Sequence, residues 1–249
     1  MYPIINFGLF QIPTFHLIIS ISISIALLYL SYLVNQNKNY SRKIAFDLAL
    51  LSMFTGFIGG RLLHIIYEAP QYYLKFPSQV FQFWNGGFVY YGGLITAIFA
   101  CFLFLKTKKE NFYHWADFMI PVFSLSYAFG RLACFFQGCC FGQYTDAFWS
   151  VGSRHPTQLY IIFAEFIVLF LILILKNKFK DQINSSGVIF NSWVFLHSLS
   201  RFIIEFYRDD DRGFMLLNNI SISQIISLFL MIISLYFLKK IQIKETSNI

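Results

Sequence analysis

The chain has 249 residues, of which 57% are hydrophobic and only 12% are charged, and its formal net charge is +7. A soluble domain carries roughly 25% charged residues, so this composition excludes an ordinary water-soluble protein. The basic residues lie in short segments between apolar runs, which argues against a nucleic-acid partner. We therefore expect an all-α integral membrane protein whose single membrane domain covers residues 1–249.

Apolar runs near 20 residues recur along the whole chain, and each is long enough to cross about 30 Å of hydrocarbon. No Lys or Arg precedes the first run, so we expect it to remain as an anchor and not to be a cleaved signal peptide. Charges and turn residues divide the chain into about seven predicted transmembrane helices. The predicted spans are about 15–34, 44–67, 87–105, 114–136, 156–175, 188–207 and 219–238.

Basic residues mark alternate connections between these spans. Three follow each of the first, third, fifth and seventh spans, whereas the N-terminus and the other connections hold few Lys. The positive-inside rule therefore predicts an N-terminus outside and a cytoplasmic C-terminus. The basic clusters are Lys38, Arg42 and Lys43; Lys106, Lys108 and Lys109; Lys176, Lys178 and Lys180; and Lys239, Lys240 and Lys244.

Charged residues near the outer ends of three spans indicate a binding site. Arg61 lies near the end of the second span, Arg131 near the end of the fourth, and Arg201, Glu205 and Arg208 near the end of the sixth. Charges inside a membrane are costly and usually face a bundle interior or a hydrated cavity. The arginines therefore predict an anion site on the outer side. Two structural alternatives are that Glu205 neutralises Arg201 one turn away and that Arg208 extends to the head groups.

Glu165 falls midway along the fifth span, where it is either a partner for another helix or a catalytic group. Glycines, among them Gly92 and Gly93, fall in the outer half of the spans. Small residues let helices approach closely, so packing accounts for most of them, and admission of a lipid head group is the functional alternative.

Three cysteines cluster at the outer end of the fourth span: Cys134, Cys139 and Cys140. Together with His155, they leave open a disulfide, a zinc site or a reactive thiolate. Zinc normally takes four well-placed ligands, and adjacent Cys139 and Cys140 do not form a standard CxxC pair, so we expect no metal. Arg131 is a positive neighbour that would favour a thiolate. Cys101 stands alone in the third span and is interpreted as a packing residue.

Five short motifs and a final charged block follow one another along the chain. In order, they are Gly59-Gly60-Arg61, Trp84-Asn85-Gly86-Gly87, Tyr91-Gly92-Gly93-Leu94, Gly130-Arg131 with the stretch to Gly142, His155-Pro156-Thr157-Gln158-Leu159-Tyr160, and a block in which Arg201-Phe202 is followed by Glu205-Phe206 and Arg208. In sequence and order they resemble the prolipoprotein diacylglyceryl transferases, seven-helix enzymes of the bacterial inner membrane. The resemblance covers most of the chain.

The resemblance implies transfer of a diacylglyceryl group from phosphatidylglycerol, an anionic phospholipid, to the lipobox cysteine of a secreted lipoprotein precursor. Arg131 and Arg201 would hold the departing phosphate, Glu205 would orient Arg201, and Cys139 is included among the catalytic candidates. It also implies a multi-pass inner-membrane protein that needs no cofactor. The predicted substrate-binding residues are Arg61, Tyr91, Gly92, Gly93, Cys134, His155, Gln158, Tyr160 and Arg208.

The chain departs from the family pattern where acid-base groups are expected. Cys134 and Gln137 replace two signature Asn residues, Cys139 replaces the signature Glu, and Tyr91 stands where His is common. Ile161 also stands where the family usually has Glu. These changes spare the arginines and leave open whether Glu165 or Glu205 replaces the missing Glu. Alternatives to the transferase are a paralog that uses Cys139 for lipid or redox chemistry and a non-enzymatic lipid-binding or transport protein.

Overall fold

A computed structural model describes residues 4–7, 10–178, 187–209, 215–216 and 220–246. Lys180 and Asn219, which belong to the predicted charge pattern and the last predicted span, lie outside these ranges. The long helices are α1 (Thr14–Gln36), α2 (Arg42–Leu63), α4 (Tyr90–Thr107), α5 (Phe112–Gln137), α6 (Thr157–Lys178), α7 (Val188–Ile204) and α8 (Ile222–Thr246), with α3 (Pro70–Lys75) a short one.

Shorter elements complete the described chain. A π turn (His64–Glu68) extends α2, and 3-10 turns lie at Pro77–Phe81, Phe83–Asn85 and Glu205–Tyr207. Strands are β1 (Ile4–Phe7), β2 (Phe10–Pro13), β3 (Met215–Leu216) and β4 (Ile220–Ser221). Strands β1 and β2 form an antiparallel hairpin in which Ile4 pairs with Pro13 and Phe7 with Phe10. The sequence did not predict this hairpin.

Six helices in the described residues are long and apolar enough to cross a membrane: α1, α2 with its π turn, α4, α5, α6 and α8. Five of them coincide with a predicted span to within three residues at each end, whereas α8 begins three residues after the start of the span 219–238 and ends eight residues beyond it. The remaining predicted span, 188–207, contains the 17-residue α7 followed by the 3-10 turn at Glu205–Tyr207. The chain is therefore a helical polytopic membrane protein, and the count of seven spans stays a prediction.

Helix α6 has the exposure pattern of a helix in a lipid solvent. Phe163, Ile167 and Phe170 are more than half exposed, whereas Glu165 is only 1% exposed and Ile172 is fully buried. Such an apolar outer face suits contact with acyl chains, and polar groups are retained inside the protein where they find partners.

The chain forms two compact units, residues 1–32 with 113–211 and 220–249, and residues 33–112 with 212–219; we call them the larger and the smaller unit. In the smaller unit, α2 packs against α4 through glycines. A Cβ atom added to Gly92 would lie 2.6 Å from the Gly59 carbonyl oxygen, and one added to Gly93 would lie 2.7 Å from that of Gly56. Small residues thus allow close backbone approach, which supports the packing interpretation.

In the larger unit, α7 packs against α6 and α8, and its start is fixed by a side chain from α5. The Asp117 carboxylate accepts hydrogen bonds from the backbone N–H groups of Gly187 (3.0 Å) and Phe190 (2.7 Å). The first N–H groups of a helix have no partner within the helix, so this carboxylate satisfies two of them. It therefore fixes the N-terminus of the helix that carries His197 and Arg201.

We expect Gly92→Ala to destabilise the protein by about 1–3 kcal/mol, because the new methyl group meets backbone that cannot move aside cheaply. Thermal denaturation of the purified protein in detergent measures the change. Gly130→Ala is the matched control, since its Cβ would have nothing nearer than the Ile19 side chain at 4.0 Å. Equal thermal midpoints for the two variants would contradict the proposed packing role.

Candidate active site

The last turn of α5 and the residues after it bring three cysteine sulfurs together. The Sγ atoms of Cys134, Cys139 and Cys140 all lie within 4.8 Å of one another, and the Cys139 and Cys140 sulfurs are 3.6 Å apart. We call these three side chains the thiol cluster. Within the described part of the chain, no His, Asp or Glu joins them at this spacing.

Residues 138–142, which we call the thiol loop, are held by backbone geometry and by α6. Gly138 and Cys140 have positive φ angles of 81° and 64°, and the Cys139 N–H donates to the Cys134 carbonyl oxygen at 3.2 Å. The Thr157 hydroxyl donates to the Cys140 carbonyl oxygen at 2.6 Å, and the Gln158 amide donates to that of Cys139. Both side chains are 1% exposed, so the first turn of α6 holds the cysteines in place.

Contacts among the sulfurs change the acidity of Cys139. Hydrogen bonding with the Cys134 sulfur, and next with that of Cys140, raises the pKa of the Cys139 thiol above its ordinary value. Cys139 therefore keeps its proton more firmly than an ordinary cysteine does. This direction disfavours Cys139 as an isolated thiolate nucleophile.

Arg131 lies on α5 close to the thiol cluster. Its guanidinium donates a hydrogen bond to the Tyr127 hydroxyl at 3.2 Å and lies 5.2 Å from the centre of that ring. Arg131 lies one turn before Cys134 on the same helix, and the backbone of Arg208 pairs with that of Gly142 at the end of the thiol loop. Two arginines from distant parts of the sequence thus lie beside the thiol cluster.

The Glu205 carboxylate connects Arg208 to Arg201. Its Oε2 atom lies 3.6 Å from Arg201 Nη2 and 3.9 Å from Arg208 Nη1, and its Oε1 atom accepts a hydrogen bond from Ser221 at 2.9 Å. Glu205 and Arg201 are 3% and 4% exposed. Glu205 therefore joins Arg201 to Arg208. We call these two residues, together with Arg131 beside Cys134, the arginine cluster.

The connection between α5 and α6 is pinned to the end of α7. The Gly142 N–H donates to the His155 carbonyl oxygen at 2.8 Å, and the Gln143 N–H donates to that of Tyr207 at 2.9 Å. A Cβ atom on Gly142 would overlap the Tyr207 carbonyl oxygen. Glycine is thus required where the thiol loop meets the residue before Arg208.

His155 and Tyr160 form a small polar group with two aromatic residues. His155 Nδ1 and Trp149 Nε1 each lie 2.8 Å from the Tyr160 hydroxyl oxygen, and the His155 and Tyr207 rings have centroids 5.1 Å apart. Both predicted substrate residues therefore belong to the unit that holds the arginines. Their contacts fix the 3-10 turn that leads to Arg208.

Glu165 is the centre of a buried network. Its Oε1 atom accepts hydrogen bonds from Ser124 (2.6 Å) and Trp193 (2.8 Å), and its Oε2 atom lies 2.8 Å from His197 Nδ1. The His197 ring also packs edge-on against that of Tyr127, which contacts Arg131. Glu165 is thus a partner for other helices, as one of the two sequence hypotheses proposed.

Sequence reasoning missed His197, Trp193, Ser124 and Tyr127. The spacing of the sequence could have revealed Trp193 and His197. They precede Arg201 by eight and four residues, so all three share one face of α7, and Glu205 follows at the same interval. Tyr127 likewise lies one turn before Arg131 on α5.

Four predicted substrate residues, Arg61, Tyr91, Gly92 and Gly93, lie in the smaller unit. The five N–H groups of Arg61 face five backbone carbonyls, those of Gln79, Val80, Gln82, Gly86 and Gly87. Arg61 therefore organises the loop before α4, while Tyr91 is 2% exposed and packs beside the Tyr90 ring. Their role in substrate binding stays a prediction.

An apolar groove of about 680 Å³ runs between α1 and α5, and Ile18, Ile21, Phe129 and Phe136 are among its lining residues. Phe129 and Phe136 are seven residues apart and therefore share a face of α5. Arg131 follows Phe129 by two residues, a rotation of about 200° around the helix axis, so it lies on the opposite face. The groove suits an acyl chain in contact with α5, on a different face from the arginine cluster.

Helices with apolar outer faces, and a buried Arg201–Glu205 pair beside half-buried arginines and thiols, define a polytopic helical membrane protein with a charged internal cluster. The sequence profile of the prolipoprotein diacylglyceryl transferases matches residues 3–239. A phosphatidylglycerol–prolipoprotein diacylglyceryl transferase of Clostridium tetani is 30% identical over 81% of this chain and 82% of its own length. Those of Mannheimia succiniciproducens and Clostridium perfringens (the latter numbered 2) are 34% and 31% identical, over 77% and 85% of this chain and 74% and 85% of their own lengths. The chain belongs to the prolipoprotein diacylglyceryl transferase family.

We expect Glu165→Ala to destabilise the protein by about 3–5 kcal/mol, because removing one partner of a buried pair leaves the other groups unsatisfied. The thermal midpoint in detergent measures the loss. Asp209→Ala is the control, since it removes an exposed ion pair with Arg154 and should change stability by less than about 1 kcal/mol. A Glu165→Ala midpoint equal to that of the control would rule out a structural role for the network.

Proposed function

We propose that this protein transfers the diacylglyceryl group of phosphatidylglycerol to the cysteine thiol of a secreted lipoprotein precursor. The observation that carries the proposal is the arginine cluster of the larger unit, in which Glu205 joins Arg208 to Arg201 and both Arg131 and Arg208 lie beside the thiol cluster. The family membership and the names of its relatives supply the reaction class.

Charge on the leaving group explains the need for several arginines. As the acceptor sulfur attacks the glycerol carbon of the diacylglyceryl group, the bond to phosphate oxygen breaks and glycerol phosphate departs with the electron pair. Preorganised cations stabilise such developing charge strongly in a water-poor site, by about 100- to 1,000-fold per removed donor. Arg131 and Arg201 are the proposed phosphate ligands. Glu205, which accepts a hydrogen bond from Ser221, positions the Arg201 side chain.

The proposal includes seven spans, an outer N-terminus, a cytoplasmic C-terminus and a site toward the outer side of the bacterial inner membrane. Helix α7 extends for about 26 Å at 1.5 Å per residue, and the 3-10 turn lengthens it. The Lys and Arg clusters support the orientation through the positive-inside rule. An outer site suits an acceptor that is itself secreted.

The acceptor thiol must lose its proton, and the two carboxylates offered by the sequence are already engaged. Glu165 binds Ser124, Trp193 and His197, whereas Glu205 faces two arginines and Ser221. These contacts argue against either Glu as a simple general base. A different device is needed for deprotonation.

We expect Arg131→Ala and Arg201→Ala each to lower glycerol phosphate release by at least about 100-fold. The assay combines purified protein, phosphatidylglycerol in nanodiscs and a peptide with a lipobox cysteine, and mass spectrometry of the peptide gives an independent readout. Arg154→Ala is the matched control because that arginine forms an exposed ion pair, so its variant should retain activity. Thermal midpoints confirm that each variant is folded.

Two outcomes would contradict the proposal. Undiminished transfer by a folded Arg131→Ala protein would remove the phosphate role of that residue. Saturable binding of phosphatidylglycerol by the wild-type protein, with no release of glycerol phosphate in the presence of the peptide, would instead favour the non-enzymatic lipid-binding alternative.

A further inference from the structure

We infer that the thiol cluster binds one zinc ion through Cys134, Cys139 and Cys140, and that the fourth position on the metal receives the acceptor thiol. This inference rests on the proposed function and supplies the deprotonation step that the two glutamates leave open. It assigns one shared role to the three cysteines, whose sulfurs the fold brings together.

The spacing of the sulfurs fits one metal ion. Zinc–thiolate bonds of about 2.3 Å in tetrahedral geometry place sulfurs about 3.8 Å apart. The three Sγ atoms lie within 4.8 Å of one another, and one pair is separated by 3.6 Å. Small side-chain rotations would close the site, because the thiol loop is already held by Thr157 and Gln158.

The number of ligands indicates the kind of zinc site. Structural zinc sites use four protein ligands, whereas catalytic sites use three and leave one position for water or substrate. In the residues that the structure describes, the three cysteines have no His, Asp or Glu at ligand spacing. His155 is engaged at Nδ1 with Tyr160. The cluster therefore has the ligand number of a catalytic site.

Charge balance favours a thiolate-bound metal at this place. Zinc with three thiolates carries one net negative charge, and a fourth thiolate would make it two. Such charges are costly in a membrane protein unless cations lie close by. Arg131 lies one turn before Cys134 on α5, and the backbone of Arg208 pairs with Gly142 at the end of the thiol loop, so two positive charges lie close enough to favour both the metal thiolate and the departing phosphate.

The chemistry balances without an oxidant or a reductant. The acceptor thiol displaces water from the zinc, and its proton goes to solvent because a coordinating thiol is deprotonated by the metal. The zinc-bound sulfur then attacks the glycerol carbon, so that a C–S bond forms and the C–O bond to phosphate breaks. Glycerol phosphate leaves with the electron pair, and the weakly bound thioether product dissociates from the metal.

Metal content tests the site independently of activity. The protein is expressed in zinc-supplemented cells and purified under reducing conditions. It should retain about one zinc ion per chain, as measured by inductively coupled plasma mass spectrometry. Cys134→Ser, Cys139→Ser and Cys140→Ser should each lose most of it. Cys101→Ser is the matched control, because Cys101 lies in α4 and its sulfur faces the Leu48 carbonyl oxygen; that variant should keep its zinc.

Cobalt substitution keeps the test independent of variants that fail to fold. Wild-type protein stripped of zinc and titrated with Co²⁺ should show thiolate charge-transfer absorption and the visible bands of tetrahedral Co²⁺. A lipobox peptide should then shift these bands, and the same peptide with Ser in place of Cys should leave them unchanged. That difference reports acceptor binding at the fourth position directly.

The outcomes separate this inference from the proposed function. Full transfer activity in zinc-free protein, or in a triple Cys→Ser variant, would overturn the zinc site and leave the transferase standing. A peptide-dependent cobalt shift without any lipid transfer would uphold the metal site and overturn the transferase. A disulfide within the cluster of protein purified under native conditions, or Cu⁺ bound in preference to Zn²⁺, would overturn the inference.

Discussion

The cost of placing charge inside a membrane constrains the larger unit more than any other interaction. Glu205 and Arg201 are almost fully buried. Glu205 compensates the charge of Arg201, and both Arg201 and Arg208 compensate that of Glu205. A buried ion pair of this kind adds little net stability, but removing one member is strongly destabilising. The unit must therefore assemble the end of α7, the start of α8 and the thiol loop in one arrangement, which is the arrangement that the proposed phosphate site requires.

Helix α7 carries the two polar networks on one face. Trp193 and His197 bind Glu165 of α6, and Arg201 and Glu205 follow at the same four-residue spacing. Because the face is continuous, the register of α7 against α6 also sets the position of the arginines. The Asp117 cap at the start of α7 fixes that register from the other end. A polar stripe of this kind is expected only where a helix faces protein, since lipid offers it no partner.

Much of the fold could be predicted because a membrane span is a local property of the sequence. The predicted span 114–136 and the observed Phe112–Gln137 differ by two residues at most. The other long helices, with α2 taken together with its π turn, agree to within three residues, except that α8 continues eight residues beyond its predicted end. The β1–β2 hairpin and the short helix Pro70–Lys75 were missed, because local hydropathy does not predict strand pairing or the packing of a short helix. Orientation and the count of seven remain predictions, because they depend on a membrane that the fold alone does not define.

The candidate site was predictable only to the level of residue type. Arg131, Arg201, Glu205 and Arg208 could be selected because charge in an apolar segment is conspicuous. Only the three-dimensional positions show that these residues lie near one another, whereas Arg61, selected by the same criterion, binds five loop carbonyls.

The cysteines illustrate the same limit most clearly. Spacing alone left a disulfide, a metal site and a reactive thiol open, and the shortage of a fourth ligand argued against zinc. Convergence of all three sulfurs changes the weight of that argument, because a missing protein ligand is what a catalytic metal site requires. If the acceptor itself supplies the fourth sulfur, the metal deprotonates that sulfur without a separate base, which fits a site whose two glutamates are already engaged with other groups.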